Sequence, residues 1–386
     1  MIARLNVGGP SIQAITLTRT LEPFGYATTL VRGTEGDREG NMDDLARSLG
    51  VTPVLVPSLR RDPGAHDLRA LLALIAIIRR ERPRIVHTHA AKAGTLGRLA
   101  AIAASWGRAE KPIVVHTFHG HSLTGYFSDR RSGAYRRIEQ LLARHTDTLI
   151  AVSTEVRDEL VALGVADAER FAVIPLGFDL APFAPEPDQR SAARQRLRSE
   201  LGIAAQATVV TVIARLVAIK RIDRFLAAAR QCLDVPGAHF LIVGDGELDG
   251  ALRGSPAARA LGSRLTWTGF RRDVPELCFA SDVAVLCSDN EGTPVSLIEA
   301  AAAGLPVIST RVGGAAAVVR DGETGVLVPT DDGSALAAAI RRLVLDPDLR
   351  NRMGIAGQAH VNAAFSLPRL NRDIADLYER LTVRPG

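Results

Sequence analysis

The sequence alternates short runs of β-branched residues with longer alanine- and leucine-rich segments of helical period. Parallel strands need long crossover connections, which helices usually supply, so this alternation is typical of βαβ units and a parallel sheet covered by helices. We therefore predict an α/β fold. In the first half, the predicted strands cover residues 2–6, 28–31, 54–56, 85–88, 113–117, 148–152 and 172–174, and predicted helices cover 68–80 and 95–104.

A proline-rich break divides the chain into two halves. Residues 179–188 contain Pro182, Pro185 and Pro187, a composition typical of a linker. A second series of predicted strands follows at 209–213, 240–243, 265–268, 283–287, 307–309 and 325–328. A chain of 386 residues is long enough for two domains. We predict two Rossmann-like domains of similar size, at 1–181 and 182–367.

Composition excludes several functional classes. The longest strongly apolar stretch, residues 70–78, covers about half of the ~20 residues that a membrane-spanning helix needs. No apolar signal core follows Met1, so the expected location is the cytoplasm. The first predicted strand is short, which leaves open whether the native N-terminus starts upstream of Met1. The net charge of +5 is spread along the chain, and at 4% aromatic residues it offers few stacking platforms, so no nucleic-acid partner is expected.

Cys232, Cys278 and Cys287 lie in apolar surroundings without CxxC or Cys/His spacing. This pattern predicts neither a disulfide framework nor a zinc site. We interpret all three as buried structural thiols.

Residues 288–299 form the most informative segment, because they follow a predicted strand and open an alanine-rich helix. Pro294 suits the first helical turn, where its missing N–H costs nothing. The N–H groups that remain around this helix start would face outward and bind an anion or a sugar; they belong to Gly292, Thr293, Val295 and Ser296.

Glu291 and Glu299 are eight residues apart, slightly more than two helical turns if the intervening residues are helical, so both could line one crevice. Carboxylate oxygens accept hydrogen bonds from pairs of sugar hydroxyls. The alternative is one acid near a helix start and one solvated glutamate.

Two cations and a glycine-rich turn follow other strands of the second half. Arg215 and Lys220 lie just after strand 209–213, where fixed positive charges can stabilise a developing negative charge. The alternative is a solvated basic patch. Gly244 and Gly246 follow strand 240–243, but their spacing does not fit a dinucleotide-binding fingerprint.

In the first half, glycines and histidines gather at strand ends. Gly9 lies in a loop between the first strand and a helix, where backbone N–H groups can approach an anion. The histidines at strand ends are His87, His89, His116, His119 and His121. Since no Asp or Glu completes a convincing ligand set, we do not expect a metal.

Taken together, these motifs resemble the retaining glycosyltransferases of family 4. Glu291 and Glu299 match that family's E-x7-E motif, and the resemblance runs through residues 215–220, 243–247, 268–270, 291–304 and 324–328. It implies the GT-B fold, two Rossmann-like domains facing each other across a deep cleft, with residues 368–386 packing back on the first domain. It also implies transfer of a sugar from a nucleotide-diphosphate donor, with UDP the leading nucleotide, to an acceptor hydroxyl.

The resemblance further implies that configuration is retained and that neither a metal nor another cofactor is needed. The expected enzyme is a hexosyl- or N-acetylhexosaminyl-transferase of bacterial cell-surface polysaccharide, glycolipid or glycosylated-metabolite synthesis. Two other functions stay open: a GT-B sugar-nucleotide epimerase or hydrolase, and a non-catalytic donor-binding subunit.

The resemblance assigns roles to individual residues. Glu299 is expected to bind the ribose hydroxyls, Glu291 the donor sugar, and Arg215 with Lys220 the diphosphate. His119 is expected to contact the donor sugar and the reacting region. The expected catalytic residues are His119, Glu291, Arg215 and Lys220; the expected donor-binding residues are Gly9, Gly244, Gly246, Phe270, Arg271, Gly292, Thr293, Pro294, Val295 and Glu299.

One segment of the first half mixes aromatic and basic side chains over a loop and a predicted helix. Its members are Tyr126, Phe127, Arg130, Arg131, Tyr135, Arg136, Arg137 and Arg144. Such a segment can contact an anionic membrane, which would fit a lipid-linked acceptor. The alternative is an ordinary solvated arginine-rich helix.

Overall fold

The computed structural model describes residues 1–6, 8–36, 40–119 and 129–383, without the side chains of residues 129–132 and 134. The chain divides into two compact units. Unit 1 contains Met1–Phe178 and Leu367–Gly386, and unit 2 contains Asp179–Ser366. The division lies three residues before the predicted boundary at 181. Residues 367–386 belong to unit 1.

Unit 1 is a parallel sheet with helices on both faces. Its strands are β1 (Val31–Arg32), β2 (Val54–Leu55), β3 (Ile85–His89), β4 (Ile113–Phe118), β5 (Thr148–Ala151) and β6 (Phe171–Val173). They pair in the orders β1-β2 and β3-β4-β5-β6, all parallel. Its first helices are α1 (Gly9–Thr20), α2 (Asp43–Ser48), α3 (His66–Glu81), α4 (Ala91–Ala104), α5 (Asp129–Ala143) and α6 (Thr154–Ala162).

Unit 2 contains a six-stranded parallel sheet in the order β12-β11-β10-β7-β8-β9. Its strands are β7 (Thr208–Ile213), β8 (Ala238–Val243), β9 (Leu265–Gly269), β10 (Val283–Leu286), β11 (Val307–Thr310) and β12 (Gly325–Val328). Its helices are α7 (Pro187–Glu200), α8 (Ile222–Arg230), α9 (Asp249–Arg253), α10 (Pro256–Leu261), α11 (Val274–Ala280), α12 (Val295–Ala302), α13 (Ala315–Val318), α14 (Gly333–Leu345) and α15 (Pro347–Phe365); α16 (Leu367–Val383) belongs to unit 1.

Each sheet is buried because apolar helix faces cover it. In unit 1, Leu74 and Ile78 of α3 belong to one core cluster, while Leu370 and Ile374 of α16 belong to another with Leu17 of α1. Unit 2 is built in the same way, with one cluster around α8 and α14 and another around α7 and α11. All three cysteines are buried and unbonded, as predicted. Within the described ranges no helix is long and apolar enough to cross a membrane.

The prediction of a strand over residues 2–6 was wrong. Only Ile2 pairs with neighbouring strands, through single parallel bridges to Arg32 and to His89. Leu5 is bonded elsewhere, because its N–H donates to Glu35 Oε1 at 2.7 Å and its carbonyl accepts from Met42 N at 2.7 Å. The predicted linker is also partly helical, since α7 begins at Pro187.

A cavity of about 530 Å³ lies where Met1 enters the unit 1 sheet. Its lining includes Ile78 of α3 and Val86 of β3, together with Leu21 just after α1 and Leu30 just before β1. The Met1 ammonium donates to His87 O at 2.7 Å, and burial lowers the pKa of this amine to about 5. A polar amine therefore lies at a cavity whose lining includes these apolar side chains.

We predict that adding about four β-branched apolar residues before Met1 stabilises the protein, because at ~3.3 Å per residue an extended segment would fill this cavity. The folded state disfavours the protonated amine, so the parent chain loses stability as pH falls from 8 to 5. The stability gained by the extension should therefore grow as pH falls from 8 to 5, towards about 4 kcal/mol for an amine pKa that is shifted by three units.

Thermal unfolding at pH 5, 7 and 8.5 measures this effect. A Gly-Ser extension of equal length is the control, because it moves the amine away without filling the cavity. It should reproduce only the pH-dependent part of the gain. Equal melting temperatures for the apolar and Gly-Ser extensions at pH 8.5 would contradict the prediction.

Candidate functional site

The predicted site residues of unit 2 lie on loops at the carboxyl edge of its sheet. β7 and β10 are parallel neighbours, so the loops that follow them leave the same edge. The loop after β7 carries Arg215 and Lys220, and the segment after β10 carries Glu291. Asp289 N donates to Ile219 O at 2.9 Å and joins the two loops directly.

Lys220 and Glu291 form an ion pair through Nζ and Oε1. The same Oε1 accepts a hydrogen bond from Ser288 Oγ at 2.6 Å, and Thr310 Oγ1 donates to the Ser288 carbonyl at 2.6 Å. Ser288 and Thr310 are fully buried, whereas both members of the ion pair are partly exposed. Glu291 is therefore held by a hydrogen bond from the buried Ser288 and by the ion pair with Lys220.

Arg215 differs from Lys220 in its surroundings. Its side chain is exposed and has no hydrogen-bond or ion-pair partner within the described part of the chain. Its backbone is fixed, because Val217 N donates to Arg215 O at 3.0 Å. Arg215 thus presents a solvated cation at the edge where Lys220 neutralises Glu291.

Gly244 and Gly246 let the turn after β8 pack tightly against the Arg215 loop. Gly244 has φ 136°, and a Cβ there would lie 1.9 Å from Ala214 O. A Cβ on Gly246 would lie 2.5 Å from Leu216 O. These contacts give both glycines a packing role, and their predicted contact with a donor stays a prediction.

Phe270 and Arg271 follow β9. Phe270 is 61% exposed. Arg271 is partly buried and forms ion pairs with Asp273 and Glu200, each at 2.6 Å. Arg271 is therefore already engaged with two carboxylates, while Phe270 offers an uncovered aromatic face.

Gly9, predicted to lie in a loop of unit 1, is part of a helix. Gly9 is buried and is the first residue of α1, with Pro10 in the first turn. Gln13, one turn into the helix, is fully buried, and neither polar atom of its amide has a hydrogen-bond partner in the part of the chain that the structure describes. The predicted binding of Gly9 to a donor stays a prediction.

The histidines of β3 and β4 are close together. His89 Nδ1 and His119 Nε2 share a hydrogen bond of 3.0 Å, and the His87 and His89 rings stack at 4.3 Å. Burial lowers the pKa of all of them, and that of His119 to about 3, so they are neutral at physiological pH. His121 lies outside the described residues, and the described part of the chain contains no group of three or more His, Cys, Asp or Glu suited to a metal.

Two family models match the chain, one to each half. Residues 7–182 match the model described as Glycosyltransferase Family 4, and residues 193–360 match Glycosyl transferases group 1. The chain is 31% identical over 347 residues to an Escherichia coli protein, covering 89% of this chain and 86% of that one. That relative is named UDP-Gal:alpha-D-GlcNAc-diphosphoundecaprenol alpha-1,3-galactosyltransferase. The chain belongs to glycosyltransferase family 4.

Other comparisons agree with this family. The chain is 32% identical to the D-inositol 3-phosphate glycosyltransferase of Rhodococcus jostii, over 81% of this chain and 71% of that one. HepE of Anabaena in complex with UDP superposes with a TM-score of 0.80 at 22% identity, covering 98% of each chain. The sucrose-phosphate synthase of Thermosynechococcus elongatus superposes with a TM-score of 0.78 at 24% identity, covering 98% and 96%. These likenesses establish the GT-B fold, and the predicted sugar transferase activity is confirmed.

Some residues that build the glycosyltransferase site were not predicted. Ser288 was predicted only as the first residue of the segment 288–299, and no role was predicted for Thr310, Gly313 or Gly314. A Cβ on Gly313 would lie 1.7 Å from Glu291 O, and one on Gly314 would lie 2.1 Å from Gly292 O. Gly314 N also donates to both of these carbonyls. The paired glycines after β11 were the available signal, because only glycine permits such a close backbone approach.

The start of α12 differs from the prediction. Pro294 caps the helix instead of lying in its first turn, and the helix begins at Val295. Leu297 N and Ile298 N both donate to Pro294 O, so the N–H groups of Val295 and Ser296 precede the first intrahelical bonds. Gly292 and Thr293 are non-helical, and hence Glu291 and Glu299 are not two helical turns apart.

Glu299 lies one turn inside α12 and is partly buried. Burial raises its pKa to about 7, from an ordinary value of 4.5. Near neutral pH this carboxyl is therefore close to half ionised. Its folded environment favours the neutral form, and a hydrogen-bond donor from a ligand would favour the charged one.

We predict that Glu299→Gln stabilises the glycosyltransferase at pH 8 and has little effect at pH 4.5. Between these values the unfolded carboxyl ionises while the folded one resists ionisation, so the parent protein carries a penalty that rises up to about pH 7. At pH 8 the full difference in the free energy of unfolding between Glu299→Gln and the parent is about 3 kcal/mol.

Unfolding in denaturant across pH 4.5–8.5 measures this difference. Glu323→Gln is the matched control, since the Glu323 side chain is 60% exposed. A stability difference that is independent of pH would show that the pKa of Glu299 is not raised.

Proposed function

We propose that this glycosyltransferase moves a hexose from a UDP-sugar to a hydroxyl of an acceptor sugar carried on a lipid diphosphate, with retention of anomeric configuration. The observation that carries the proposal is the Lys220–Glu291–Ser288 network beside the exposed Arg215. The name of the E. coli relative supports the donor and the acceptor class, since it describes galactosyl transfer from UDP-Gal to a GlcNAc diphospholipid.

The chemistry follows from the charges in unit 2. When the anomeric bond breaks, the leaving UDP gains negative charge, which Arg215 and Lys220 would stabilise. The Lys220 ammonium has three donors, so it can bind Glu291 and a phosphate oxygen together. These two cations would stabilise the charge on the leaving diphosphate, a role that a divalent metal often has, and we propose that no metal is required.

The remaining steps use the acidic and neutral groups. Glu291 would accept hydrogen bonds from the transferred sugar, and Glu299 from the ribose hydroxyls. The acceptor oxygen forms its bond to the anomeric carbon on the face that the diphosphate leaves. A leaving phosphate oxygen takes the acceptor proton, so the products are the glycoside and protonated UDP. His119 would contact the transferred sugar.

Transfer is tested with UDP-galactose, UDP-glucose, UDP-GlcNAc and GDP-mannose, using GlcNAc-diphosphate on a short synthetic lipid as the acceptor. We predict product from one UDP-sugar, unchanged by EDTA. Glu291→Gln should lower the rate by about 10²-fold or more, because it removes the negative charge and the pairing with Lys220, while UDP still stabilises the variant thermally.

The control for this assay is Glu323→Gln, which should transfer at the parent rate. Donor consumption at the same rate with and without acceptor would indicate a hydrolase or epimerase instead. Full activity of Glu291→Gln would overturn the assignment of Glu291, and loss of activity in EDTA would overturn metal independence.

We also propose that unit 1 contacts an anionic membrane, where such an acceptor would reside. Three neighbouring helices, α3, α4 and α5, carry exposed apolar side chains on their outer surface: Leu68, Leu72, Leu99, Ile102, Ile138 and Leu141, with Trp106 just after α4. Trp106 is 87% exposed. Of the basic residues predicted for this surface, Arg136, Arg137 and Arg144 are exposed on or just after α5. The predicted aromatic residues Tyr126 and Phe127 lie outside the described residues.

Flotation with phosphatidylglycerol and phosphatidylcholine vesicles tests this contact. We predict binding to the anionic vesicles, weakened by salt, because apolar insertion and arginine attraction act together. The triple variant Leu99→Ser, Ile102→Ser, Trp106→Ser should bind at least about tenfold more weakly.

The control is Leu345→Ser with Ile355→Ser, which removes two other exposed apolar residues, both in unit 2. It should bind vesicles like the parent. Equal loss of binding in both variants, or equal binding to both kinds of vesicle, would contradict the proposal.

A further inference from the structure

The histidines of unit 1 are divided between two faces of the sheet. β3 and β4 pair in parallel, with His87 opposite Val115 and His89 opposite Thr117. Side chains alternate along a strand, so His87 and His89 share one face with Thr117. His116 and Thr88 lie on the other face, where they bond to each other at 2.9 Å. Only the first group leads to His119.

A continuous set of contacts runs from α16 to His119. Tyr378 Oη and His87 Nδ1 are 2.6 Å apart, and His87 Nε2 is 2.7 Å from Thr117 Oγ1. The His87 ring stacks on His89 at 4.3 Å with 27° between the planes. His89 Nδ1 then meets His119 Nε2 at 3.0 Å. His89, Thr117 and Tyr378 are buried.

The bond between His89 and His119 fixes more than the ring position. Both rings are neutral, so each carries one proton, and only one of the two facing nitrogens can hold it. If His89 donates, the proton of His119 lies on Nδ1; if His119 donates, its Nδ1 is bare. His119 Nδ1 is itself buried and has no hydrogen-bond partner among residues 1–6, 8–36, 40–119 and 129–383.

We propose that His89 is a positioning residue for transfer, which sets the ring plane and the tautomer of His119, and that Tyr378 and His87 hold His89 in place. This inference rests on the proposed contact of His119 with the transferred sugar. A sugar hydroxyl suits the unpartnered Nδ1, because it can donate to a bare nitrogen or accept from a protonated one. The tautomer therefore decides which hydroxyl orientation is bound.

Substitution of His89 separates these roles. His89→Phe keeps a ring that can stack on His87 but removes Nδ1. His89→Asn places an amide close to the position of Nδ1 and retains a hydrogen bond to His119. We expect the first variant to lower kcat by about 10²-fold, as a misplaced group does, and the second to recover most of that loss. Tyr378→Phe should give a smaller loss.

Histidine ¹⁵N spectra of the full chain supply a readout that a merely structural role would not change. Protonated and bare ring nitrogens give separate signals, and His119→Phe assigns those of His119. We expect one tautomer of His119 in the parent and in His89→Asn, and a mixture in His89→Phe. His145→Phe, at an exposed position, is the control; it loses only its own signals and should leave kcat and the His119 signals unchanged.

The outcomes separate this inference from the proposed function. If His119→Phe is inactive while His89→Phe keeps the parent kcat and a single His119 tautomer, the positioning role is wrong and the role of His119 stands. If His119→Phe transfers at the parent rate, the contact of His119 with the sugar is wrong and the inference falls with it. Loss of kcat in His89→Phe with unchanged His119 signals would also overturn it.

Discussion

The ion pair between Lys220 and Glu291 joins two segments that lie 71 positions apart in sequence. It forms because β7 and β10 are parallel neighbours and release their loops at the same edge of the sheet. A charge at such an edge costs little when it is partly hydrated, and more when a neighbouring element removes its water. Lys220 neutralises the negative charge of Glu291, and the buried Ser288 hydroxyl donates a hydrogen bond to the same carboxylate. The position of Glu291 thus depends on the packing beneath it.

Backbone packing completes that support. Gly313 and Gly314 press against the carbonyls of Glu291 and Gly292, and Gly244 and Gly246 press against the Arg215 loop. At both places a side chain would force apart two loops that must lie close. The same glycines that resemble a ligand-binding turn therefore also serve the rigidity of the unbound site, which lowers the ordering cost when a ligand arrives.

Strands of unit 2 could be predicted well, because most are short apolar runs buried on both faces, although β9 is only partly buried; residues 325–328 match β12 at both ends. The structure of residues 2–6 could not be predicted in this way. Only Ile2 pairs with neighbouring strands, whereas the backbone of Leu5 forms hydrogen bonds with Glu35 and Met42. The E-x7-E spacing located both glutamates, but not their geometry, because Pro294 delays the helix. Thr310 and Ser288 are 22 positions apart, and no local pattern reveals a bond that the sheet creates.

The histidines show why residue type alone does not define chemistry. Gathered at strand ends, they suggest either a metal site or acid–base catalysts. Burial lowers the pKa of His87, His89, His116 and His119, and the contacts to Thr117, Thr88 and Tyr378 use nitrogens that a metal would need. What is left is a set of neutral, oriented rings, and among the described residues two of their buried nitrogens, His116 Nε2 and His119 Nδ1, have no partner; of these two histidines only His119 bonds to His89. A neutral imidazole binds and orients a hydroxyl without adding charge, so the charge that the reaction develops remains for Arg215 and Lys220 to balance.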